Sequence, residues 1–218
     1  VLMESMSADL LDMKLNGKEI TPYLNELIGK SYYFENFYSA GTHTNHCILA
    51  TLYGLPSLLD RNMMKNVDIP LCQGLPFILN KQNYRTMFFM THEAQYDNMN
   101  AFLLENGVQE IYSQEDYPRE KRVNSFGVAD DFLFEYAVNK ISEQAKDGKP
   151  FMSTLLTISN HPPYIVPEKY QSLNIESQYQ IVAFADDAIR QFMADAAKQE
   201  WYDNTIFVFA GDHGKIVG

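Results

Sequence analysis

Residues 204–214 have the sequence Asn-Thr-Ile-Phe-Val-Phe-Ala-Gly-Asp-His-Gly, an apolar run that ends in a polar turn. The run is typical of an inner strand of a parallel sheet, because such strands are buried on both faces. Ligands of open α/β sheets bind beyond the carboxyl ends of the strands. The pattern therefore predicts that Asp212 and His213 can offer oxygen and nitrogen ligands to one divalent metal. A polar strand end that turns at its flanking glycines is the simpler alternative.

The remainder of the chain alternates predicted strands with predicted helices. Apolar runs predict further strands at 1–5, 31–39, 84–90 and 150–158. Helical spacing and capping residues predict helices at 21–30, 44–53, 75–82, 95–106, 128–146 and 177–199, with 113–127 as a surface loop. Thr21 is the expected N-cap of the first helix, and Asp186 is expected on the solvated edge of the last. The alternation predicts an α/β fold with a mostly parallel central sheet.

Length and charge limit the classes of function. We expect one domain over residues 1–218, a fragment of a longer protein truncated at both ends, because the chain opens within a strand pattern and stops soon after His213. The formal net charge is −11, from 28 acidic and 17 basic residues. This acidity argues against a nucleic-acid partner. Two cysteines, Cys47 and Cys72, fit either redox compartment and leave a disulfide undecided.

Polar side chains follow five of the predicted strands, at or just beyond the point where each strand ends. They are Glu4, Thr44, His92, His161 and the pair Asp212-His213. Because the carboxyl ends of parallel strands meet at one edge of a sheet, we predict a metal-and-anion site there. Two carboxylates, one hydroxyl and one imidazole would complete the coordination of one ion. Oxygen ligands suit Mn²⁺ or Mg²⁺, and the imidazole also allows Zn²⁺.

Thr44 stands where a small-residue loop leads into a helix. Backbone N–H groups and the positive end of the helix dipole attract an anion such as phosphate at that point. The hydroxyl has two interpretations: it caps the helix, or it is a nucleophile activated by a metal. Thr42 is the competing nucleophile, although next to Gly41 it is better suited to shaping the loop. His161, held by two following prolines, is a candidate proton donor or phosphate contact.

Several segments together resemble the lipoteichoic acid synthase family, within the sulfatase-like part of the alkaline phosphatase superfamily. The segments are Val-Leu-Met-Glu-Ser at 1–5, Phe-Glu-Asn-Phe-Tyr-Ser-Ala-Gly-Thr-His-Thr-Asn at 34–45, Leu-Tyr-Gly-Leu-Pro at 52–56, Ser-Asn-His-Pro-Pro-Tyr at 159–164 and residues 204–214. They occur in order over nearly the whole chain. The resemblance implies an α/β/α sandwich and a single sulfatase-like catalytic domain.

The resemblance also implies a role for each motif residue. Glu4, Thr44, Asp212 and His213 would hold one divalent metal, Mn²⁺ before Mg²⁺ or Zn²⁺, and Thr44 would be the nucleophile. Substrate contacts would come from His161, His92, Tyr96 and Asn98. The segment 91–98 departs from the family pattern, because Tyr96 and Asn98 stand roughly where that pattern has Trp and Arg, and an amide cannot replace the charge of a guanidinium.

The implied activity is transfer of a phosphoglycerol or related phospholipid head group through a phospho-threonine. The partners would be a phospholipid donor and a glycan or lipid acceptor. The implied location is extracytoplasmic, in the periplasm or at the cell surface, with membrane anchoring through segments outside this chain. Two alternatives stay open: a phosphodiesterase or sulfatase-like hydrolase, in which water replaces the acceptor, and a non-catalytic binding domain of the same fold. The absence of a Cys-x-Pro-x-Arg motif argues against a formylglycine nucleophile.

Overall fold

The centre of the molecule is a parallel sheet of five strands in the order β5-β4-β8-β1-β9. The computed structural model describes residues 1–56, 58 and 60–214. The strands of the central sheet are β1 (Leu2–Met3), β4 (Arg85–Met90), β5 (Glu110–Tyr112), β8 (Phe151–Leu156) and β9 (Ala210–Gly211). Two antiparallel hairpins lie outside it, β2 (Lys14–Leu15) with β3 (Lys18–Glu19), and β6 (Arg122–Asn124) with β7 (Gly127–Val128).

Helices cover both faces of the sheet. They are α1 (Pro22–Ile28), α2 (Thr44–Tyr53), α3 (Leu75–Lys81), α4 (Met99–Glu105), α5 (Asp130–Gln144), α6 (Glu168–Gln171) and α7 (Ser177–Ala196). Successive residues of a strand point to opposite faces, so Met87 and Phe89 pack towards α5 and α7, whereas Phe88 and Met90 pack towards α2 and α4. Both clusters are buried. The predicted α/β/α sandwich is therefore confirmed.

The run that ends at Asp212 is an edge strand and not the inner strand predicted from its apolar sequence. Regular pairing with β1 is confined to Ala210 and Gly211. Phe207 packs on the core, but Ile206 is 90% exposed and Val208 is 65% exposed. The run thus has one buried face, and an unbroken apolar sequence cannot by itself distinguish that arrangement from a strand buried on both faces.

Three other predicted elements differ from the structure. Residues 31–39 form no strand, and their aromatic side chains are exposed, with Tyr32 97% and Phe34 75% accessible; aromatic residues favour strands only where there is a sheet surface to pack on. Residues 113–127 contain most of the β6–β7 hairpin and are not a plain loop. The helix predicted from residue 95 begins at Met99, because Asp97 and Asn98 have left-handed backbones with φ of 54° and 61°.

The start of α1 is capped from another helix. Thr21 was the expected N-cap, but its hydroxyl donates to the Leu10 carbonyl. The Asp186 carboxylate accepts hydrogen bonds from the backbone N–H groups of Tyr23 and Leu24, at 2.9 and 2.8 Å. Asp186 is accordingly buried and not on a solvated edge as predicted, because it satisfies free N–H groups at the start of α1.

Candidate metal and anion site

Strand pairing brings the two ends of the chain together at the carboxyl edge of the sheet. Leu2 pairs with Ala210 and Met3 with Gly211, so the residues that follow each strand emerge side by side. The backbone N–H of Ser5 donates to Asp212 Oδ1 at 2.8 Å. This approach leaves no room for a side chain at Gly211, where a Cβ would lie 2.4 Å from the Met6 carbonyl oxygen.

Glu4, Asp212 and His213 converge at this edge, with one ligand atom from each within 4.8 Å of the others. His213 Nε2 lies 3.5 Å from Asp212 Oδ2 and 3.8 Å from Glu4 Oε1. These separations exceed a normal hydrogen bond. They are close to the spacing of about 3.4 Å between neighbouring ligands of a tetrahedral ion with bonds of about 2.1 Å. The three side chains therefore have the geometry of ligands around one divalent cation.

The charge of the cluster also favours a cation. Glu4 and Asp212 are both buried, and Glu4 Oε2 has no hydrogen-bond partner among the described residues. Burial, and next the neighbouring Asp212 carboxylate, raise the pKa of Glu4 to about 8. His213 Nδ1 lies 2.9 Å from the Gly214 carbonyl oxygen, which can only accept, so Nδ1 donates to it and Nε2 is the ring nitrogen that faces the carboxylates. Each of these features fits a divalent metal.

Thr44 is the first residue of α2, beside this cluster. Its hydroxyl donates to Asp212 Oδ2 at 3.0 Å and does not cap the helix, whose N-cap is His43. The hydroxyl of Thr42 instead lies 3.0 Å from His43 Nδ1. The structure thus brings Thr44, and not Thr42, into contact with a candidate metal ligand at a helix N-terminus.

The loop before α2 is held tightly against the helix. A Cβ at Gly41 would lie 2.3 Å from His46 Nδ1, so only glycine allows this approach. Since His46 Nδ1 accepts from the N–H of Thr42 at 3.3 Å and burial lowers its pKa, His46 is a neutral structural residue.

A cavity of about 180 Å³ opens beside the cluster. Glu4 and His213 line it, and so do four further predicted site residues, namely Thr44, His92, Tyr96 and His161. The His92 and Tyr96 rings lie 4.9 Å apart between centroids. Asn98 is not among the lining residues, because its side-chain amide donates to the Met64 carbonyl oxygen at 2.6 Å. Three of the four predicted substrate contacts therefore share the cavity.

Polar residues missed by the sequence prediction hold the Glu4 strand exit in place. The Glu4 N–H donates to Thr157 Oγ1 at 2.9 Å, and the Asn160 side-chain amide donates to the Glu4 and Ser5 carbonyl oxygens at 3.2 and 3.1 Å. Asp130, in the first turn of α5, accepts from the N–H groups of Ile158 and Ser159 in the loop after β8. Thr157 and Asn160 follow β8, so the rule of polar strand exits could have identified them.

Phe126 and Asp97 also line the cavity, and the sequence did not reveal them as site residues. Phe126 lies in the β6–β7 hairpin, and its ring centroid is 4.5 Å from that of His161. The hairpin reaches the site because Gly127 has φ +88° and packs on Thr91, whose carbonyl oxygen would lie 1.8 Å from any Cβ there. No sequence pattern indicated this contact, since it depends on a turn in a segment predicted to be a loop.

Comparison with known proteins gives consistent relatives. A family model described as Sulfatase matches residues 1–218. Lipoteichoic acid synthase of Staphylococcus aureus is 30% identical over 229 residues, covering 97% of this chain and 34% of that protein. The chain thus spans about a third of the length of this curated relative.

Solved structures agree with the family match. A protein in the alkaline phosphatase superfamily from Vibrio parahaemolyticus has a TM-score of 0.88 at 31% identity, covering 100% of this chain and 54% of that one. Lipoteichoic acid synthase LtaP from Listeria monocytogenes has a TM-score of 0.88 at 23% identity, covering 99% of this chain and 55% of that one. The second likeness concerns the fold alone.

Proposed function

The chain belongs to the sulfatase family of enzymes, and on that premise we propose that it catalyses metal-dependent transfer of a phospholipid head group through a phosphorylated Thr44. The observation that carries this proposal is the hydrogen bond from Thr44 Oγ1 to Asp212 Oδ2, 3.0 Å long, at the start of α2. Thr44 is the first residue of α2 and not its N-cap, so helix capping does not explain the direction of its side chain. Its hydroxyl points at a buried carboxylate beside a cavity.

Glu4, Asp212, His213 and Thr44 would hold one divalent cation, with Mn²⁺ the first choice and Mg²⁺ or Zn²⁺ as alternatives. Such an ion supplies charge neutralisation and lowers the pKa of a coordinated hydroxyl. The family resemblance supports the assignment, and so does Glu4 Oε2, which has no hydrogen-bond partner in the part of the chain that the structure describes.

Side chains of the protein would supply the nucleophile and would donate or accept each proton in the two half-reactions. In the first half-reaction, Thr44 Oγ1 bonds to phosphorus, its proton passes to Asp212, and the bond from phosphorus to the diacylglycerol oxygen breaks. His161 supplies the proton that this oxygen needs. In the second, an acceptor hydroxyl loses its proton to His161 and attacks phosphorus, and Thr44 regains its proton from Asp212. N–H groups at the start of α2 stabilise the phosphoryl oxygens in both steps.

A phosphoglycerol donor and a glycan or lipid acceptor, met outside the cytoplasm at a membrane surface, are the reactants that the family resemblance favours. The Staphylococcus aureus relative is a lipoteichoic acid synthase. Among the described helices, none combines the length and the apolar character needed to cross a bilayer.

Trapping the intermediate tests the proposal. The full-length protein is mixed briefly with Mn²⁺ and phosphatidylglycerol labelled in the head group, quenched in acid and mapped by peptide mass spectrometry. We expect label on the peptide that contains Thr44, loss of turnover in Thr44→Ala and partial activity in Thr44→Ser. Thr51→Ala is the matched control, since that hydroxyl donates to the Cys47 carbonyl oxygen within the same helix.

Two results would contradict parts of the mechanism. Label on His43 or His46, or an active Thr44→Ala protein, would exclude Thr44 as the nucleophile. Labelled phospho-Thr44 that discharges only to water, with every glycan and lipid acceptor tried, would establish the hydrolase alternative.

A further inference from the structure

Part of the cavity lining comes from residues that are not candidate metal ligands, and its charged groups limit which head groups can bind. Besides Glu4, the described lining residues include one carboxylate, Asp97, and neither lysine nor arginine. A phosphate in this cavity would therefore be neutralised by the metal and the start of α2, and these described lining residues include no lysine or arginine that could pair with a second anionic group. The part of the head group beyond the phosphate must therefore be able to lie next to the Asp97 carboxylate.

A contact of Asp97 and a contact of the next residue hold this segment in place. Lys65 Nζ lies 2.6 Å from Asp97 Oδ1, and no hydrogen bond to Oδ2 is found within the described part of the chain. The next residue, Asn98, is tied to the Met64 carbonyl oxygen. Asp97 and Asn98 both have left-handed backbones, with φ of 54° and 61°. Consecutive non-glycine residues in this region are strained, and such strain is concentrated at functional sites.

Aromatic rings lie next to this carboxylate. Tyr96 and Phe126 also line the cavity, with ring centroids 6.3 Å apart, and Phe126 contacts His161. Ring faces attract cations and pack against CH groups, and they offer nothing to an anion. The same part of the lining thus presents one carboxylate and two aromatic ring faces.

We propose that Asp97 is a specificity-determining residue, which accepts a hydrogen bond from a hydroxyl or an ammonium of the head group and excludes head groups with an additional negative charge. This inference rests on the proposed function and names the chemistry of its substrate. Glycerol and ethanolamine esters satisfy the requirement. A serine ester does not, because its carboxylate would face Asp97 and the aromatic rings, while Lys65, which is paired with Asp97 Oδ1, is not among the described residues that line the cavity.

Binding of water-soluble head-group phosphates tests this separately from turnover. Calorimetric titrations of the full-length protein with Mn²⁺ would use glycerol phosphate, phosphoethanolamine, phosphoserine and inorganic phosphate. We expect the better of the first two to bind at least about tenfold more tightly than phosphoserine, as one charged hydrogen bond allows. In Asp97→Asn that ratio should fall below about threefold, with the affinity for inorganic phosphate unchanged. Asparagine tolerates the left-handed backbone, so the fold is kept.

The matched control is Asp12→Asn, the same change at another left-handed aspartate (φ 57°) outside the cavity, and it should leave all four affinities unchanged. The two head-group chemistries separate in Asp97→Asn, because an amide oxygen still accepts from a hydroxyl but no longer attracts an ammonium. A ratio unchanged in Asp97→Asn, or phosphoserine bound as tightly as the other esters, would overturn the role of Asp97. Either result leaves the trapping of phospho-Thr44 intact as the test of the nucleophile.

Discussion

Replacing Glu4 with glutamine should stabilise the metal-free protein and remove its stabilisation by metal. Glu4 is buried beside the Asp212 carboxylate, and one of its oxygens has no partner among the described residues. Burial and the neighbouring charge raise its pKa from 4.5 to about 8. Between these values the folded protein keeps a proton that the unfolded chain has released. The metal-free protein therefore loses stability as pH rises through this window.

The size of the effect follows from the two pKa values. A difference of about 3.5 pH units, at roughly 1.36 kcal/mol per unit, amounts to about 5 kcal/mol above pH 8, and most of it is present at pH 8. A neutral Glu4→Gln side chain avoids this cost. A metal at one hundred times its dissociation constant stabilises the wild type by about 2.7 kcal/mol, roughly 5–10 °C in Tm for a domain of this size.

Thermal unfolding at pH 8, in EDTA and then in excess Mn²⁺, measures both effects. The wild type should gain several degrees from Mn²⁺, whereas Glu4→Gln should start higher in EDTA and gain little. Glu135→Gln, the same change on the exposed side of α5, should behave as the wild type does. An equal gain from Mn²⁺ in Glu4→Gln would mean that Glu4 is not a ligand. A lower Tm than the wild type in EDTA would refute the assigned charge repulsion.

Three further outcomes follow from contacts described above. Burial raises the pKa of Asp186 to about 6 from 3.8, so the wild type should lose on the order of 2–3 kcal/mol relative to Asp186→Asn between pH 4 and pH 7, measured by urea unfolding. His161→Ala should lower kcat with metal content by mass spectrometry unchanged, and loss of metal would instead make His161 a ligand. Thr157→Val leaves the buried Glu4 N–H unpaired and should cost about 1–3 kcal/mol of unfolding free energy, whereas Thr51→Val should cost less.

The sequence predicted the fold and the convergence of residues at one sheet edge, because both depend on local patterns. Alternating strands and helices require parallel strands, and parallel strands place their carboxyl ends together. That is why Glu4 and Asp212, at opposite ends of the chain, could be placed side by side. The match of a Sulfatase family model to residues 1–218 confirms the sulfatase-like family that the motifs indicated.

What the sequence did not reveal depends on contacts between distant segments. Asp186 caps a helix more than 160 residues earlier in the chain, and its own neighbours suggested only a solvated edge. The hairpin that carries Phe126 depends on how Gly127 packs against Thr91. Helical spacing also could not show that Asp97 takes a left-handed backbone, which delays α4 and turns this carboxylate towards the cavity.

The position of β1 between β8 and β9 has a consequence for the order in which the site is assembled during synthesis. Its neighbours β8 and β9 lie far along the chain, and the hydrogen bond from Ser5 to Asp212 spans 207 residues. Such non-local pairing gives high contact order and slow folding. At ribosomal speeds of about 5–20 residues per second, roughly 10–40 s separate the synthesis of Glu4 from that of Asp212. During that interval Thr44 has been synthesised, but Asp212, which accepts its hydrogen bond, has not. The candidate site can therefore form only after residues 212 and 213 have been synthesised.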